Sequence, residues 1–199
     1  TDGDDEIPES YKEATKYFKM GADKGDVDCM FKYAEMMHNG EDGVNVDEKE
    51  AAKYYKMAAD NGHVESMSNY ASMLEDGIGV DENKKEAAKY YEMAANKGDV
   101  QSMFFAAVLY DDDEEIPSDL RKSAKYYKMA ADQGHRESMY FYGVKLNIGD
   151  GVDINKEEAK KYIKRSAEKG YERAIEYLKK NTWYIIISLI KNEILTLNE

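Results

Sequence analysis

Apolar residues recur along this chain with the period of an amphipathic helix. Within residues 47–61, Ala51, Tyr55 and Ala58 stand at i, i+4 and i+7, so they form one apolar stripe. Gly62 follows directly, and glycine often closes a helix because it adopts the left-handed conformation without strain. The pattern predicts a helix that packs on one face and ends at Gly62.

A second stripe of the same kind follows after a short break. Met67, Tyr70 and Leu74 stand at i, i+3 and i+7, which again places apolar side chains on one helical face. Two amphipathic helices joined by a short turn pack side by side as an antiparallel pair. We therefore expect a helix pair as the structural unit.

The helix pair is repeated along the chain. The motif Tyr-Tyr-x-Met-Ala-Ala begins at Tyr54, Tyr90 and Tyr126, at intervals of 36 residues, and looser copies begin at Tyr17 and Tyr162. A period of this length is typical of stacked repeat arrays, in which each unit packs only on its neighbours. We place the array at residues 1–182, with units at approximately 10–46, 47–82, 83–118, 119–155 and 156–182.

The two ends of the sequence carry separate expectations. Glu6-Ile7-Pro8 repeats Glu115-Ile116-Pro117, so we interpret the first seven residues as the remnant of an earlier repeat loop and expect the native N-terminus upstream. For residues 183–199 we predict a capping helix or a tail for self-association. Its apolar residues at helical spacing are Trp183, Ile186, Ile187, Ile190, Ile194 and Leu197.

Loop and helix motifs together resemble a known family. Gly-x-Gly-Val loops occur at 77–80 and 149–152, and the first helix follows Ala-x-x-x-Tyr with a final Ala-Ala-x-x-Gly. From Tyr11 to Asn181 the chain resembles the Sel-1-like repeat family, a relative of the tetratricopeptide repeat. The resemblance implies an all-α fold, a right-handed α-α superhelix (solenoid) of about five antiparallel helix-pair repeats of 36 residues.

Departures from the family pattern fall at one small position. Alanine replaces the usual glycine of a Leu-Gly pair at Ala34, Ala71 and Ala107, and Gly143 keeps it. Alanine is still small enough for a close helix crossing. Lys179 occupies the same position in the last unit, where a further stacked neighbour would fit poorly, so we expect the array to end there.

The net charge and the cysteine content limit which partners and which cellular compartment we expect. The chain has 41 acidic and 28 basic residues, a formal net charge of −13, which disfavours binding to nucleic acid phosphates. Cys29 is the only cysteine, so an intrachain disulfide is excluded and we expect a cytoplasmic protein. The apolar run 183–190 is far shorter than the ~20 residues of a membrane-spanning helix.

Candidate chemical sites have structural explanations. The methionine row predicts core packing because it shares a face with other apolar residues; its members are Met30, Met67, Met103 and Met139. His63 and His135 occupy a helix-start register that Asp99 also fills, which favours capping. The acidic loop 111–115 lacks the glycine and the glutamate of a calcium loop. We therefore predict no catalytic residues, no metal site and no cofactor, and we do not expect an enzyme.

One surface varies between repeats and carries the functional hypothesis. On the side opposite the buried stripe, the second helix is polar in the second repeat but apolar in the third and fourth repeats. The resemblance to tetratricopeptide-type arrays implies that this helix lines a concave groove. The predicted partner-binding residues are Phe104, Phe105, Val108, Tyr140, Phe141, Val144, Phe31, Glu35 and Glu65. The alternative is that the acidic loop, or a shifted helix register, covers them.

The resulting hypothesis is a protein-interaction adaptor or scaffold. It would bind, through its concave face, a protein or peptide that offers apolar anchors and basic residues. Two alternatives stay open at this point. The chain could be the non-catalytic part of a larger enzyme, or a self-assembling structural rod that associates through its C-terminal tail.

Overall fold

A computed structural model describes residues 8–40, 44–111 and 116–180, and within them all regular structure is helical. The first helix of each pair alternates with the second along the chain. The helices are α1 (Pro8–Ala22), α2 (Val27–Asn39), α3 (Glu48–Asp60), α4 (Val64–Asp76), α5 (Lys84–Asn96), α6 (Val100–Asp111), α7 (Leu120–Asp132), α8 (Arg136–Ile148), α9 (Lys156–Glu168) and α10, described over 172–180. The all-α prediction is confirmed for these ranges.

Side-chain caps explain where the helices begin. Asp47 starts α3 by accepting a hydrogen bond from the backbone N–H of Glu50, and Asn83, Asp119 and Asn155 do the same for α5, α7 and α9. His63 caps α4 in this way, through its ring nitrogen, which confirms the capping interpretation. Each such side chain satisfies a backbone donor that has no partner inside the helix.

The chain divides into two compact units, Thr1–Ser118 and Asp119–Glu199. Within the first unit, each of the helices α1 to α5 packs on the next along the chain, and within the second, α8 packs on both α7 and α9. The array thus has the neighbour-to-neighbour packing of a repeat protein.

Alanine and methionine fill the core of each pair. The alanines of the first helices are almost entirely inaccessible to solvent, as Ala51 and Ala58 illustrate at 0% exposure. Met30, Met67, Met103 and Met139 are all buried, which confirms their assignment to the core. Small alanines allow the helices to approach closely, and the flexible methionines fill the spaces that remain.

The crossing of α8 and α9 leaves little room for a side chain at Gly143. A Cβ atom added at Gly143 would lie 2.7 Å from Cγ1 of Ile163 and 3.1 Å from the carbonyl oxygen of Ala159. At the equivalent positions, Ala34, Ala71 and Ala107 are 0% exposed, so alanine is accommodated there. At Gly143, in contrast, the methyl group of an alanine would be crowded.

Glycines also bring two loops against earlier helices. Gly79 and Gly151 adopt positive φ angles of 68° and 70°. A Cβ atom at Gly79 would collide with the carbonyl group of Glu48 at the start of α3, and one at Gly151 with that of Leu120 at the start of α7. Only glycine allows both the conformation and the contact.

Several predictions concern residues outside the described ranges. They are the loop remnant assigned to residues 1–7, the central part of the acidic loop at 112–115, and the capping helix or tail at 183–199. Next to the acidic loop, Ile116 is buried and the Ser118 hydroxyl donates to the carbonyl oxygen of Asp111 at 3.1 Å. These two residues are therefore folded onto the unit.

Candidate partner-binding faces

The predicted binding residues lie on the second helices of both compact units. In the first unit, Phe31 and Glu35 belong to α2, Glu65 to α4, and Phe104, Phe105 and Val108 to α6; in the second unit, Tyr140, Phe141 and Val144 belong to α8. Val108 is 39% exposed, Phe31 is 5% exposed, and the other apolar members are half-buried.

Phe31 is buried, contrary to the prediction that it is exposed. Its ring lies 4.4 Å from the His63 ring and 6.1 Å from Tyr55, so it is buried against the next helix pair. In the second unit, Tyr140 occupies the same register, and its ring lies 5.5 Å from Tyr171, which stands at the register of His63. This register therefore joins consecutive pairs, and exposure was the wrong prediction for Phe31.

The neighbouring register forms an aromatic face in the first unit. The Phe105 ring lies 5.1 Å from the ring of Tyr91 on α5 and 5.7 Å from Phe104. Beneath it, the Tyr91 hydroxyl donates a hydrogen bond to Glu75 at 3.0 Å. Burial raises the pKa of Tyr91 far above its usual value, and the charge of Glu75 adds to the rise, so the phenol stays neutral. We call Phe104, Phe105 and Val108 the α6 face.

A larger aromatic cluster forms the corresponding face of the second unit. Phe141 stacks on Tyr127 of α7 with ring centroids 5.3 Å apart and an interplanar angle of 24°. Tyr140 lies 5.5 Å from Phe141 and 6.2 Å from Tyr177 on α10. Offset and edge contacts of this kind stabilise aromatic pairs beyond the area they bury. We call Tyr140, Phe141 and Val144 the α8 face.

Tyr171 and Tyr177 belong to this cluster although sequence reasoning did not select them. Their positions within the repeat would have indicated both residues. Tyr171 stands where earlier repeats carry a helix cap such as His135, and Tyr177 stands where earlier repeats carry Phe105 and Phe141. Comparing the last repeat with the others position by position would have identified both.

The second helices α2 and α4 present a polar and acidic surface. Lys32 and Glu35 form an ion pair at 2.7 Å, and Glu65 is exposed. Burial raises the pKa of Tyr55 to about 12; a hydrogen bond with Asn69 opposes the rise, and the charges of Glu35 and Glu65 add to it. Carboxylates therefore lie close to the Tyr55 ring.

A recurrent polar cluster joins the first helices of consecutive pairs. In the first unit, the Tyr54 hydroxyl donates to Asp23 at 2.6 Å, and Lys19 donates to Tyr54 and to Glu50, both at 3.1 Å. We call such a group of a lysine, a carboxylate four residues later and a tyrosine from the next pair a Lys–Asp–Tyr clamp.

A second clamp lies in the first compact unit, and a third lies in the second compact unit. Tyr90 donates to Asp60 at 2.7 Å and accepts from Lys56 at 2.7 Å, and Tyr162 donates to Asp132 at 2.6 Å. Although burial acts in the opposite direction, hydrogen bonds from Tyr90 and Lys56 hold the pKa of Asp60 below its usual value. The clamps connect neighbouring repeats.

The described residues contain little that favours reaction chemistry. Among them, no group of three or more His, Cys, Asp or Glu side chains is arranged to hold a metal ion. Burial raises the pKa of the Cys29 thiol, which disfavours the reactive thiolate. In this same part of the chain, helices of sufficient length and apolarity to cross a membrane are absent.

Comparison with known families identifies the class. The Sel1 repeat matches residues 1–26, 27–63, 64–99, 100–135 and 136–171, and the chain therefore belongs to the Sel1 repeat family. Each full matched repeat begins with the second helix of one pair and runs through the first helix of the next. Sel1 repeat proteins are generally protein-interaction scaffolds, and the family is typically non-catalytic.

Solved structures with the same fold support this assignment. A Sel1 repeat protein from Oxalobacter formigenes is 25% identical, with a TM-score of 0.72 over 82% of this chain and 67% of that one. The protective antigen c5321 of uropathogenic Escherichia coli, described as having an SLR fold, is 22% identical, with a TM-score of 0.73 over 84% of this chain and 38% of the antigen. Helicobacter pylori cysteine rich protein B is 24% identical, with a TM-score of 0.51 over 66% of this chain and 94% of that one. Among curated protein sequences, none matches the chain.

Proposed function

We propose that this chain is a scaffold that binds partner proteins through its second helices, with apolar anchors on the α6 face and the α8 face. The observation that carries the proposal is the contrast at one register. Asn69 occupies it in α4, whereas half-buried aromatic rings occupy it in α6 and α8, where Phe105 and Phe141 lie on the tyrosines of the preceding first helix. Accessible aromatic clusters are typical of interaction sites.

The chemistry of these faces defines the partner that we propose. Rigid rings that are already packed on one side lose little conformational entropy on binding, so apolar partner side chains gain most by contacting them. Toward α2 and α4, the exposed Glu65 and the net charge of −13 favour a partner with basic residues, which would associate faster at low salt. We propose a protein or peptide with both features.

We also propose that the chain itself catalyses no reaction. A scaffold needs a surface that varies between repeats on a framework that varies less. The outer register of the second helices supplies the variable surface, and the three clamps belong to the framework. On the resemblance to tetratricopeptide-type arrays, we propose that the variable side is the concave face, which would suit an extended partner segment.

The test is the affinity of a partner isolated with the intact chain. Titration calorimetry would compare the wild type with the double variant Phe105→Ala and Phe141→Ala, and with the matched control Asn69→Ala at the same register. We expect the aromatic variant to weaken binding by ~30-fold or more, which corresponds to a loss of about 2 kcal/mol or more, and the control to bind almost as the wild type does.

The fold of each variant is verified by circular dichroism before affinities are compared. Equal binding by the wild type and the correctly folded aromatic variant would contradict the proposed faces. In that case the loops and the first helices would be examined next, while the scaffold class of the protein would stand.

A further inference from the structure

The two compact units differ in the sign of their charge. Residues 1–118 contain 29 acidic and 12 basic residues, whereas residues 119–199 contain 12 acidic and 16 basic residues. The formal net charge of −13 therefore combines a strongly anionic unit with a cationic one. Because charge asymmetry of this kind points to charged partners, the second unit is a candidate for contact with an anionic molecule.

The helix α7 carries much of the positive charge of the second unit. It has four basic residues, and Asp132 is its single acidic residue. The first turns of α3 and α5 contain Glu50 and Glu86, as is usual because the helix dipole favours negative charge at this end. The first turn of α7 contains Arg121 and Lys122 instead. Positions that break such a local rule are expected at functional surfaces.

The helix α9 extends this cationic surface. The Tyr162 hydroxyl of α9 donates to Asp132 of α7 at 2.6 Å, so a clamp holds the two first helices together. Four cations on the outer side of this pair of helices are exposed. We call them the α7–α9 face: Arg121, Lys125, Lys161 and Arg165.

Part of the charge on this face has no counter-charge within the protein. Among the described residues, Arg121 and Lys161 have no ion-pair partner. In the first unit, by contrast, Lys53 stands at the register of Lys125 and forms an ion pair with Glu50 at 3.4 Å. Carboxylates of another molecule could therefore pair with cations that the second unit leaves available.

The mixed charge on α9 favours a protein over other anionic molecules. A shallow cavity of about 460 Å³ on this helix is lined by Lys161, Arg165, Glu157, Glu158, Asn155 and Tyr162. A nucleic acid or an anionic membrane presents a dense array of phosphates, which the two glutamates would repel. A protein segment can place carboxylates on the cations and hydrogen-bond donors on the glutamates.

We propose that the α7–α9 face binds an acidic segment of a partner protein. Aspartate and glutamate side chains of the segment pair with the four cations, and the guanidinium groups of Arg121 and Arg165 can each hold a carboxylate through two hydrogen bonds. This surface lies on the first helices and is independent of the α6 and α8 faces. The chain would therefore have two separate partner-binding surfaces.

The probe for this site is a fluorescently labelled peptide in which glutamate alternates with serine. In extended form the alternation places all the glutamates on one side, and a length of about 15 residues at ~3.3 Å per residue is sufficient to cross both helices. The peptide is titrated with the full chain, and binding is followed by fluorescence anisotropy. We expect saturable binding that weakens as salt is added, because salt screens exposed charges.

Two charge-reversal variants locate the contact. Arg121→Glu with Lys125→Glu should weaken binding ~tenfold or more, because two attractive contacts become repulsive. The matched control is Lys49→Glu with Lys53→Glu, which changes the same registers of α3 and the net charge by the same amount, and its effect should be much smaller. Because all four side chains are exposed, both variants should keep the dichroism spectrum and the melting temperature of the wild type.

Further measurements separate this proposal from the alternatives. Phe105→Ala with Phe141→Ala should leave binding of the acidic peptide unchanged, since the two surfaces are independent. A lack of saturable binding, or equal weakening by the two charge-reversal variants, would overturn the proposal.

Two other results would reassign the α7–α9 face. Tighter binding of single-stranded DNA or of phosphatidylserine vesicles than of the peptide, lost in Arg121→Glu with Lys125→Glu, would assign the face to a phosphate-bearing molecule. Concentration-dependent self-assembly in sedimentation equilibrium that the same variant abolishes would assign it to the anionic unit of a second copy. Either result would overturn the proposal of an acidic partner protein.

Discussion

The clamp side and the aromatic side of the same helix pairs differ in how strictly they repeat. In the three Lys–Asp–Tyr clamps, the tyrosine hydroxyl lies 2.6, 2.7 and 2.6 Å from its carboxylate. Across the molecule, one register of the second helices holds in turn Lys32, Asn69, Phe105, Phe141 and Tyr177. The first side has the same chemistry in each of the three clamps, although α5 has Glu92 and Asn96 in place of the lysine and the aspartate. The second side changes from charged to polar to aromatic.

The contrast separates what the fold requires from what recognition can use. A tyrosine that is buried at an interface needs partners for its hydroxyl, and a clamp supplies them for Tyr54, Tyr90 and Tyr162. A residue on the outer side of a second helix has no such constraint and can vary with the partner. Variation between repeats, rather than aromatic character alone, is therefore the better guide to a binding face.

The strongest test of this contrast compares two tyrosines of one register. Tyr90→Ala should destabilise the chain by about 3–5 kcal/mol, because it leaves a cavity next to Tyr70 and removes the shared partner of Lys56 and Asp60. Tyr17 stands at the same register on α1, and its side chain is 64% exposed. Tyr17→Ala should therefore cost less than ~0.5 kcal/mol of stability. Urea denaturation measures both, and similar losses would show that the clamps are not what stabilises the repeat interface.

A second comparison separates two members of the predicted binding surface. Tyr140→Ala should cost about 2 kcal/mol of stability, since its ring contacts Phe141, Tyr171 and Tyr177. Val108→Ala should change stability by less than ~0.5 kcal/mol because Val108 is 39% exposed. Thermal unfolding monitored by dichroism gives both values. If Tyr140→Ala is as stable as the wild type, the ring does not stabilise the fold, and its proposed role would be partner binding alone.

The third prediction concerns the crossing of α8 and α9 at Gly143. Alanine in place of glycine normally stabilises a helix interior by about 1 kcal/mol. Gly143→Ala should instead destabilise the chain by about 1–2 kcal/mol, because the added methyl group would lie 2.7 Å from Ile163 Cγ1. A double-mutant cycle with Ile163→Ala should show a smaller penalty for Gly143→Ala when the isoleucine is absent. A net gain in stability in the otherwise unchanged chain would rule out crowding at this crossing.

The smallest predicted effect is a pH dependence at one helix cap. His135 accepts from the N–H of Ser138 through its ring nitrogen, so the cap requires the neutral ring. Burial lowers the pKa of His135 below its usual value of 6.5, so as the pH falls the unfolded state takes up the proton first. The stability from this group is present above pH ~6.5 and is lost as the pH falls through the lowered pKa of the folded state.

Replacement by the residue of another repeat provides the control for this effect. His135→Asp restores the cap that Asp99 provides in α6, with a carboxylate that stays charged at pH 5. We expect the melting temperature of the wild type to fall by a few degrees more between pH 7 and pH 5 than that of the variant, in line with about 1 kcal/mol for a cap. Parallel pH profiles would show that the cap is not the titrating element.

Most of the fold could be predicted because local and repeated signals agree. The stripes of alanine, tyrosine and methionine predict the helices, and the 36-residue period predicts that they stack. Capping by His63 followed from its register with Asp26 and Asp99. The helix boundaries differ by only one residue at each end for α3, which was expected over 47–61 and covers Glu48–Asp60.

The candidate site could be predicted only in part, for a physical reason. Hydrophobic periodicity distinguishes the two faces of one helix but does not show which face the next pair covers, and Phe31 was therefore predicted to be exposed. The clamps were missed because Lys56 and Asp60 look like a solvated pair in sequence. Their role appears only when the hydroxyl of Tyr90, 30 residues after Asp60, is placed between them.

The short chain separation across each clamp also has a kinetic consequence. Asp23 and Tyr54 are 31 residues apart, and the partners in the other clamps are at similar separations. No contact of this kind requires distant parts of the chain to meet, so the entropy lost in closing the loop is small at every step. Such a chain should fold rapidly from several starting points, and hydrogen exchange should show its helix pairs opening one after another from an end rather than all at once.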